Sequence, residues 1–329
     1  MASNLIKNLP PSTTLQILDT NPDVLQRFVA DYSTFGKIEV CKTAKELATR
    51  CHTMLSSLPN GPIAQEVYLN PSEGVIAASE APTRIMLDAS TFEPELSVHI
   101  GQTLLTKGLG RYVDIPLAGG AVGAMNGTLS FMVGYHRPSA DDVIGKRIVE
   151  ALALVGDREK VQFCGKLGMG SASKIAHNYV CLCYNLAATE GMALGLKLGV
   201  DKHVLWKVMT EGCCDSFQMH LEQPVPGLVD NAPSSNQYKR NFAAALTLKD
   251  LRIALKSGQK LGLDLTAGRT AIDASTKVDD DPRTKLSACM SKCCGSADER
   301  FQNLDHTALW LHVNNIVDEF EKSKRTSKL

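Results

Sequence analysis

A lysine and an asparagine one helical turn apart are the residues of this sequence best placed to do chemistry. Gly165, Gly168 and Gly170 precede Lys174, and Asn178 follows it, so the two polar side chains share one helix face. Glycines at that place let backbone come close to a ligand or to another element. An ammonium group is costly to bury in an apolar helix. Burial lowers its pKa and suits it to giving and taking a proton near neutrality. The alternative is a lysine whose stem lies along the helix start while its head reaches solvent.

Three further segments carry ligand-like chemistry. In DIPLAGGAVGA, Asp114 to Ala124, glycines after a strand expose backbone N–H groups suited to a carboxylate; the other reading is a tight turn with unusual dihedrals. In LDASTFEP, Leu87 to Pro94, Ser90 and Thr91 follow a strand, where open α/β sheets bind ligands. They could equally cap the helix that Pro94 opens. Lys249 and Asp250 lie in FAAALTLKDLRIAL and, taken alone, form a charged pair on an amphipathic helix.

The elements that must position these residues change character part-way along the chain. Short apolar runs such as LQIL at Leu15 to Leu18, and those at Ile38 to Val40, Thr53 to Leu55, Ile85 to Leu87, Tyr112 to Ile115, Leu129 to Val133 and Val161 to Cys164, read as strands. Helical stretches separate them, which predicts an α/β domain with a mainly parallel sheet. From Ser171 to about Leu198 no proline occurs and apolar residues lie nearly all round, so a long buried helix is expected. Helices at Lys202 to Glu211, Asn241 to Leu261, Thr266 to Val278 and His306 to Lys322 then make an all-α half, with a loop at Pro224 to Pro233. The boundary is placed at 165/166.

Composition narrows the function classes. The 329 residues suffice for two domains, and 44% are apolar, enough for a sizeable core. Lys+Arg and Asp+Glu both number 35, which gives no support to nucleic acid or an anionic membrane as partner. The most apolar stretch, Ile175 to Ala188, is interrupted by His177, Asn178 and Asn185 and is short for a bilayer. The N-terminus shows no secretory signal, so a cytoplasmic or mitochondrial setting is expected. Ten cysteines are read as reduced thiols. Neither Cys213–Cys214 nor Cys289, Cys293 and Cys294 has zinc-ligand spacing, so no metal is expected.

Taken in order, these segments resemble the β-hydroxyacid dehydrogenase family, and within it 3-hydroxyisobutyrate dehydrogenases. The likeness runs over essentially the whole chain. It includes NLIKNLP, TML, LPNGP, DIPLAGGAVGAMNGTLSFMVG, the G-x-x-G-x-G-x-x-x-K segment, PVPG and LTLKDLRIAL. The resemblance implies a Rossmann-type doubly wound domain (1–165) and an all-helical domain (166–329) joined by a long connecting helix, with the site in the cleft between them. It implies that Lys174 takes the proton of the substrate hydroxyl while hydride passes to the nicotinamide, and that Asn178 orients the substrate oxygens. Ala118, Gly119 and Gly120 would grip the substrate carboxylate. Leu58, Pro59, Asn60, Thr91 and Lys249 would line the cofactor, and Asp19 would take the adenosine ribose, favouring NAD, with NADP possible. A small hydroxy acid is the implied substrate, and a homo-dimer or tetramer the implied assembly.

Three departures bear on this reading. The family opens with an apolar strand and G-x-G-x-x-G, the cradle of the pyrophosphate. Here the chain is expected to begin inside the following helix, and no G-x-G-x-x-G occurs in it. An N-terminally truncated sheet with unpaired strand edges and weak dinucleotide binding is the expectation. It arises from a start assigned at an internal methionine or from a genuinely shortened protein. Ala118 replaces the family's serine, and His177 the first of two asparagines. Two rivals to the implied activity are a catalytically impaired relative serving as an interaction protein and an NADPH-dependent reductase of another small aldehyde acid.

Overall fold

The computed structural model describes residues 1–239, 241–280 and 304–314, and the chain divides into two compact units, Met1–Ile175 and Ala176–Leu329. The first is an α/β unit. Helix α1 (Ala2–Asn8) leads to β1 (Thr14–Ile17), α2 (Pro22–Tyr32), β2 (Lys37–Val40), α3 (Ala44–Arg50), β3 (Thr53–Ser56), α4 (Gly61–Leu69), β4 (Ile85–Asp88), α5 (Pro94–Thr106) and β5 (Arg111–Asp114). The antiparallel ribbon β6 (Leu117–Ala118) and β7 (Leu129–Val133) flanks α6 (Gly120–Asn126), and α7 (Val143–Ala153) leads to β8 (Gly156–Phe163).

Pairing is parallel in β1–β2, in β3–β4–β5 and in β7–β8. Strand β4, paired on both sides, is buried throughout, as expected of a parallel strand covered on both faces. Its pleat splits the core. Met86 joins Tyr68, Ile100 and Leu104 on one face, while Ile85 and Leu87 join Val113, Phe131 and Ile148 on the other. Among the described residues, β1 and β3 are each paired on one side only. The β1–β2 pair is covered lightly, and no residue of α2 is buried.

Helix α8 (Met169–Lys197) runs for 29 residues without interruption. Its start packs within the α/β unit; the rest belongs to the helical unit with α9 (Lys202–Glu211), α10 (Phe217–Leu221), α11 (Ala244–Lys260), α12 (Thr266–Asp280) and α13 (Leu309–Val313). Their core gathers Leu186, Met192, Tyr238, Leu251 and Trp310.

Three local expectations change. The glycine-rich segment after Ala118 is a turn that runs directly into α6. Strand β8 starts at Gly156, ahead of the expected Val161: Gly156 pairs with Leu129 of β7 and, after an irregularity in register, Val161 pairs with Phe131, so the polar opening GDREK is strand despite lacking an apolar signal. A 3-10 turn occupies His306–Ala308 before α13. The remainder of the helix expected to Lys322, and Cys289, Cys293 and Cys294, lie outside the described residues. The seven described cysteines are unbridged. Among the described residues no helix is long and apolar enough to cross a membrane, and no cluster of metal-ligand residues occurs.

Candidate active site

Three neighbouring strands end in register. Ser56 on β3, Asp88 on β4 and Asp114 on β5 stand side by side, so the loops that follow leave the same edge of the sheet. Those loops carry Leu58–Asn60, Ser90–Thr91 and Ala118–Gly120. The carboxyl ends of parallel strands are the general ligand edge of open α/β sheets.

The first two loops are tied by one hydroxyl. The Leu58 backbone N–H donates to Ser90 Oγ at 2.7 Å, and the Ser90 hydroxyl donates in turn to Asp88 Oδ1. Asp88 also accepts the Ser90 N–H at 3.0 Å and the Tyr112 hydroxyl at 2.8 Å. The carboxyl is 1% exposed. Burial pushes it above the ordinary aspartate range, against the pull of the Ser90 and Tyr112 hydrogen bonds. Burial also drives the Tyr68 and Tyr112 hydroxyls well above the usual phenol value, with the Asp88 charge adding to it. Asn60 caps α4, its Oδ1 accepting from Ile63 N–H at 3.0 Å. Thr91, half-buried, follows Ser90 directly.

The third loop presents backbone. Ala118 closes β6 opposite Ser130. Gly119 then takes φ 126°, a conformation open to glycine and strained for side-chain-bearing residues, and Gly120 starts α6. Both glycines are exposed, which suits their N–H groups to an anionic ligand.

Asp114 connects this edge to α8. Its Oδ1 accepts the Gly168 N–H at 2.8 Å and its Oδ2 the Ser171 N–H at 2.6 Å. A carboxylate on the first amides of a helix satisfies donors that lack intrahelical partners. Ser171 Oγ meets Ser97 Oγ of α5 at 3.0 Å. A Cβ on Gly170 would fall 2.3 Å from the Met132 carbonyl, so only glycine admits this approach. These anchors fix the turn that carries Lys174, which is 9% exposed. Lys174 thus sits in the buried setting, and the solvent-reaching alternative is set aside.

In the helical unit, Asn178 Nδ2 donates to Asp250 Oδ2 at 2.6 Å, and Lys249 Nζ lies 3.2 Å from Asp250 Oδ1. Asp250 is 4% exposed. His177 Nδ1 lies 2.9 Å from Asn178 Oδ1. Asp19 follows β1 and is exposed; its Oδ1 accepts the Asn21 N–H at 2.8 Å.

The expected residues therefore fall into three groups: the β3–β4–β5 edge with Lys174, the Asn178–Asp250–Lys249 set, and Asp19 on its own pair of strands. Sequence reasoning missed the anchoring by Asp88 and Asp114. Each is an aspartate closing an apolar strand, and that position is the one signal that marks them.

Residues 1–158 match the family described as the NAD binding domain of 6-phosphogluconate dehydrogenase, and residues 168–282 the NAD-binding family of NADP-dependent 3-hydroxyisobutyrate dehydrogenase. The chain is 30% identical over 274 residues to the mitochondrial 3-hydroxyisobutyrate dehydrogenase of Rattus norvegicus, covering 82% of this chain and 76% of that one. It belongs to the 3-hydroxyisobutyrate dehydrogenase-like β-hydroxyacid dehydrogenases. Solved structures share the fold of this dehydrogenase family member. One is the 3-hydroxyisobutyrate dehydrogenase of Mycobacterium tuberculosis with L-serine, at TM-score 0.75 and 24% identity, covering 95% of this chain and 94% of that one. Another is Psf3 in complex with NADP+ and 2-OPP, at TM-score 0.69 and 19% identity, covering 95% of both chains.

NAD(P) is the cofactor class of both matched families. The residues present fit its sugar and nicotinamide ends. Asp19 is an exposed acceptor past a parallel strand, and the Leu58–Asn60 and Thr91 loops leave the ligand edge of the sheet. No G-x-G-x-x-G occurs among the 329 residues.

Proposed function

We propose that this dehydrogenase interconverts a short 3-hydroxy acid and its semialdehyde. The bound dinucleotide supplies the hydride acceptor; Leu58, Pro59, Asn60 and Thr91 would hold its nicotinamide half and Asp19 its adenosine ribose. The Gly119 and Gly120 N–H groups grip the substrate carboxylate. Lys174, in its neutral form, takes the hydroxyl proton during oxidation and returns it during reduction. Asn178, one turn along α8, donates to a substrate oxygen.

The observation that carries this reading is the anchoring of Lys174. Asp114, which closes the strand preceding the Ala118–Gly120 loop, accepts the Gly168 and Ser171 N–H groups at the start of the helix that carries the buried Lys174. The test is oxidation of 3-hydroxyisobutyrate by wild type and Lys174→Ala, followed as NADH formation. Loss of a general acid/base lowers kcat by about 10²- to 10⁴-fold. An unchanged kcat removes Lys174 from the reaction.

Association into a homo-dimer or tetramer is part of the same reading. It is supported by exposed apolar residues at helical spacing on α8: Val180, Ala187 and Leu194. Light scattering coupled to size exclusion tests it; a strictly monomeric mass at micromolar concentration refutes it.

A further inference from the structure

Side chains adjacent in a helix point about 100° apart and do not ordinarily meet. His177 and Asn178 are such neighbours, yet the imidazole Nδ1 stands 2.9 Å from the Asn178 Oδ1. Something other than helix geometry holds them together, and the polarity of the surrounding hydrogen bonds shows what it is.

The carboxylate of Asp250 is the fixed point. Ionised, it only accepts, and it is 4% exposed with Lys249 Nζ 3.2 Å from Oδ1. The Asn178 atom lying 2.6 Å from Oδ2 must therefore be the amide nitrogen. That leaves the Asn178 carbonyl facing the imidazole, and a carbonyl only accepts, so the facing ring nitrogen carries the hydrogen. Every donor in the row points toward one carboxylate: His177 to Asn178 to Asp250, with Lys249 from the other side.

We infer that His177 is a positioning residue. It locks the Asn178 amide in one orientation through its Nδ1–H. The neutral ring is accordingly the Nδ1–H tautomer, and protonation at Nε2 leaves the lock in place. With the carbonyl engaged by His177 and one amide hydrogen by Asp250, Asn178 has its second Nδ2 hydrogen to offer a substrate oxygen. It acts on substrate as a donor. This inference rests on the proposed role of Asn178, but its first test does not need activity.

That test is the tautomer of His177, read from two-bond ¹H–¹⁵N correlations of the full ¹⁵N-histidine-labelled chain above the titration of its imidazole, with the signal assigned by its loss in His177→Gln. The expected pattern is protonated Nδ1. An Nε2–H tautomer overturns the inference. In Asp250→Ala the amide loses its reason for one orientation, and the Nδ1–H population should fall; an unchanged tautomer in that variant also overturns it. Kinetics supply the second arm. His177→Leu, which removes the donor from an exposed position, should lower kcat/KM by about five- to tenfold, while His177→Gln, which keeps a donor, should stay near wild type. Equal loss in both overturns the lock. If Lys174→Ala leaves kcat unchanged, the proposed reaction fails while the tautomer result still stands or falls separately.

Discussion

The Asp114 carboxylate accepts the Ser171 backbone N–H at 2.6 Å, joining positions 57 residues apart in sequence. Its other oxygen holds Gly168, so one side chain fixes both the turn before α8 and the first turn within it. Replacing Asp114 by Ala leaves two buried N–H groups without their acceptor, at a cost of about 1–3 kcal/mol each. Asp114→Ala should therefore melt lower and lose kcat, and Asp114→Asn, which keeps one acceptor oxygen, should fall between the two. Equal melting temperatures for wild type and Asp114→Ala would show that α8 is anchored elsewhere.

Ala118→Ser probes the proposed grip of this loop on the acid. Serine there adds one donor beside the exposed Gly119 and Gly120 amides. The expected result is a KM for the hydroxy acid lower by about two- to tenfold with kcat little changed. A KM that rises in Ala118→Ser would mean that the loop does not face the acid.

Asp88 makes stability depend on pH in an unusual direction for a carboxylate. Its folded pKa is raised by burial, so the charged form is the disfavoured one in the native state. Its contribution is full below the unfolded value and is lost as pH rises through the folded one. In Asp88→Asn, Oδ1 still accepts from Ser90, and the Tyr112 hydroxyl can turn to accept from the amide. The gap in unfolding temperature between Asp88→Asn and wild type should widen in favour of the variant from about pH 4 to about pH 7. A gap independent of pH would place the carboxyl at its ordinary value.

Amide hydrogen exchange should grade the α/β unit. Strand β4 is paired on both sides and buried, so its amides should exchange slowest. Among the described residues strands β1 and β2 pair only with each other, and α2 buries no residue against them. Their amides should exchange fastest among the strands, through local opening. Protection in β1 equal to that in β4 would contradict this ranking.

What could be read in advance was whatever a local pattern encodes. The apolar run Ile85–Leu87 and the proline at 94 mark β4 and α5 without reference to the rest of the chain. Helix α4 went unread although Asn60 and Pro62 are an N-cap and a first-turn proline; the mixed sequence that follows lacks a clear apolar stripe. The opening of β8 is polar, and only its Gly156 pairs with β7, across an irregularity in register that no local pattern announces. The same divide runs through the site. Lys174 and the Gly119–Gly120 turn announce themselves by type and spacing. The work of Asp88, Asp114 and Asp250 depends on partners brought in by folding, and no spacing rule reports a carboxylate that meets a backbone amide half a domain away.

The contact between β7 and the start of α8 leaves no volume for drift. A Cβ on Gly134 would overlap Asp114 Oδ1, and one on Gly170 would overlap the Met132 carbonyl. A lineage can alter neither position without shifting the turn that leads into the helix of Lys174. Its room for change lies at half-buried Ala118 and exposed His177.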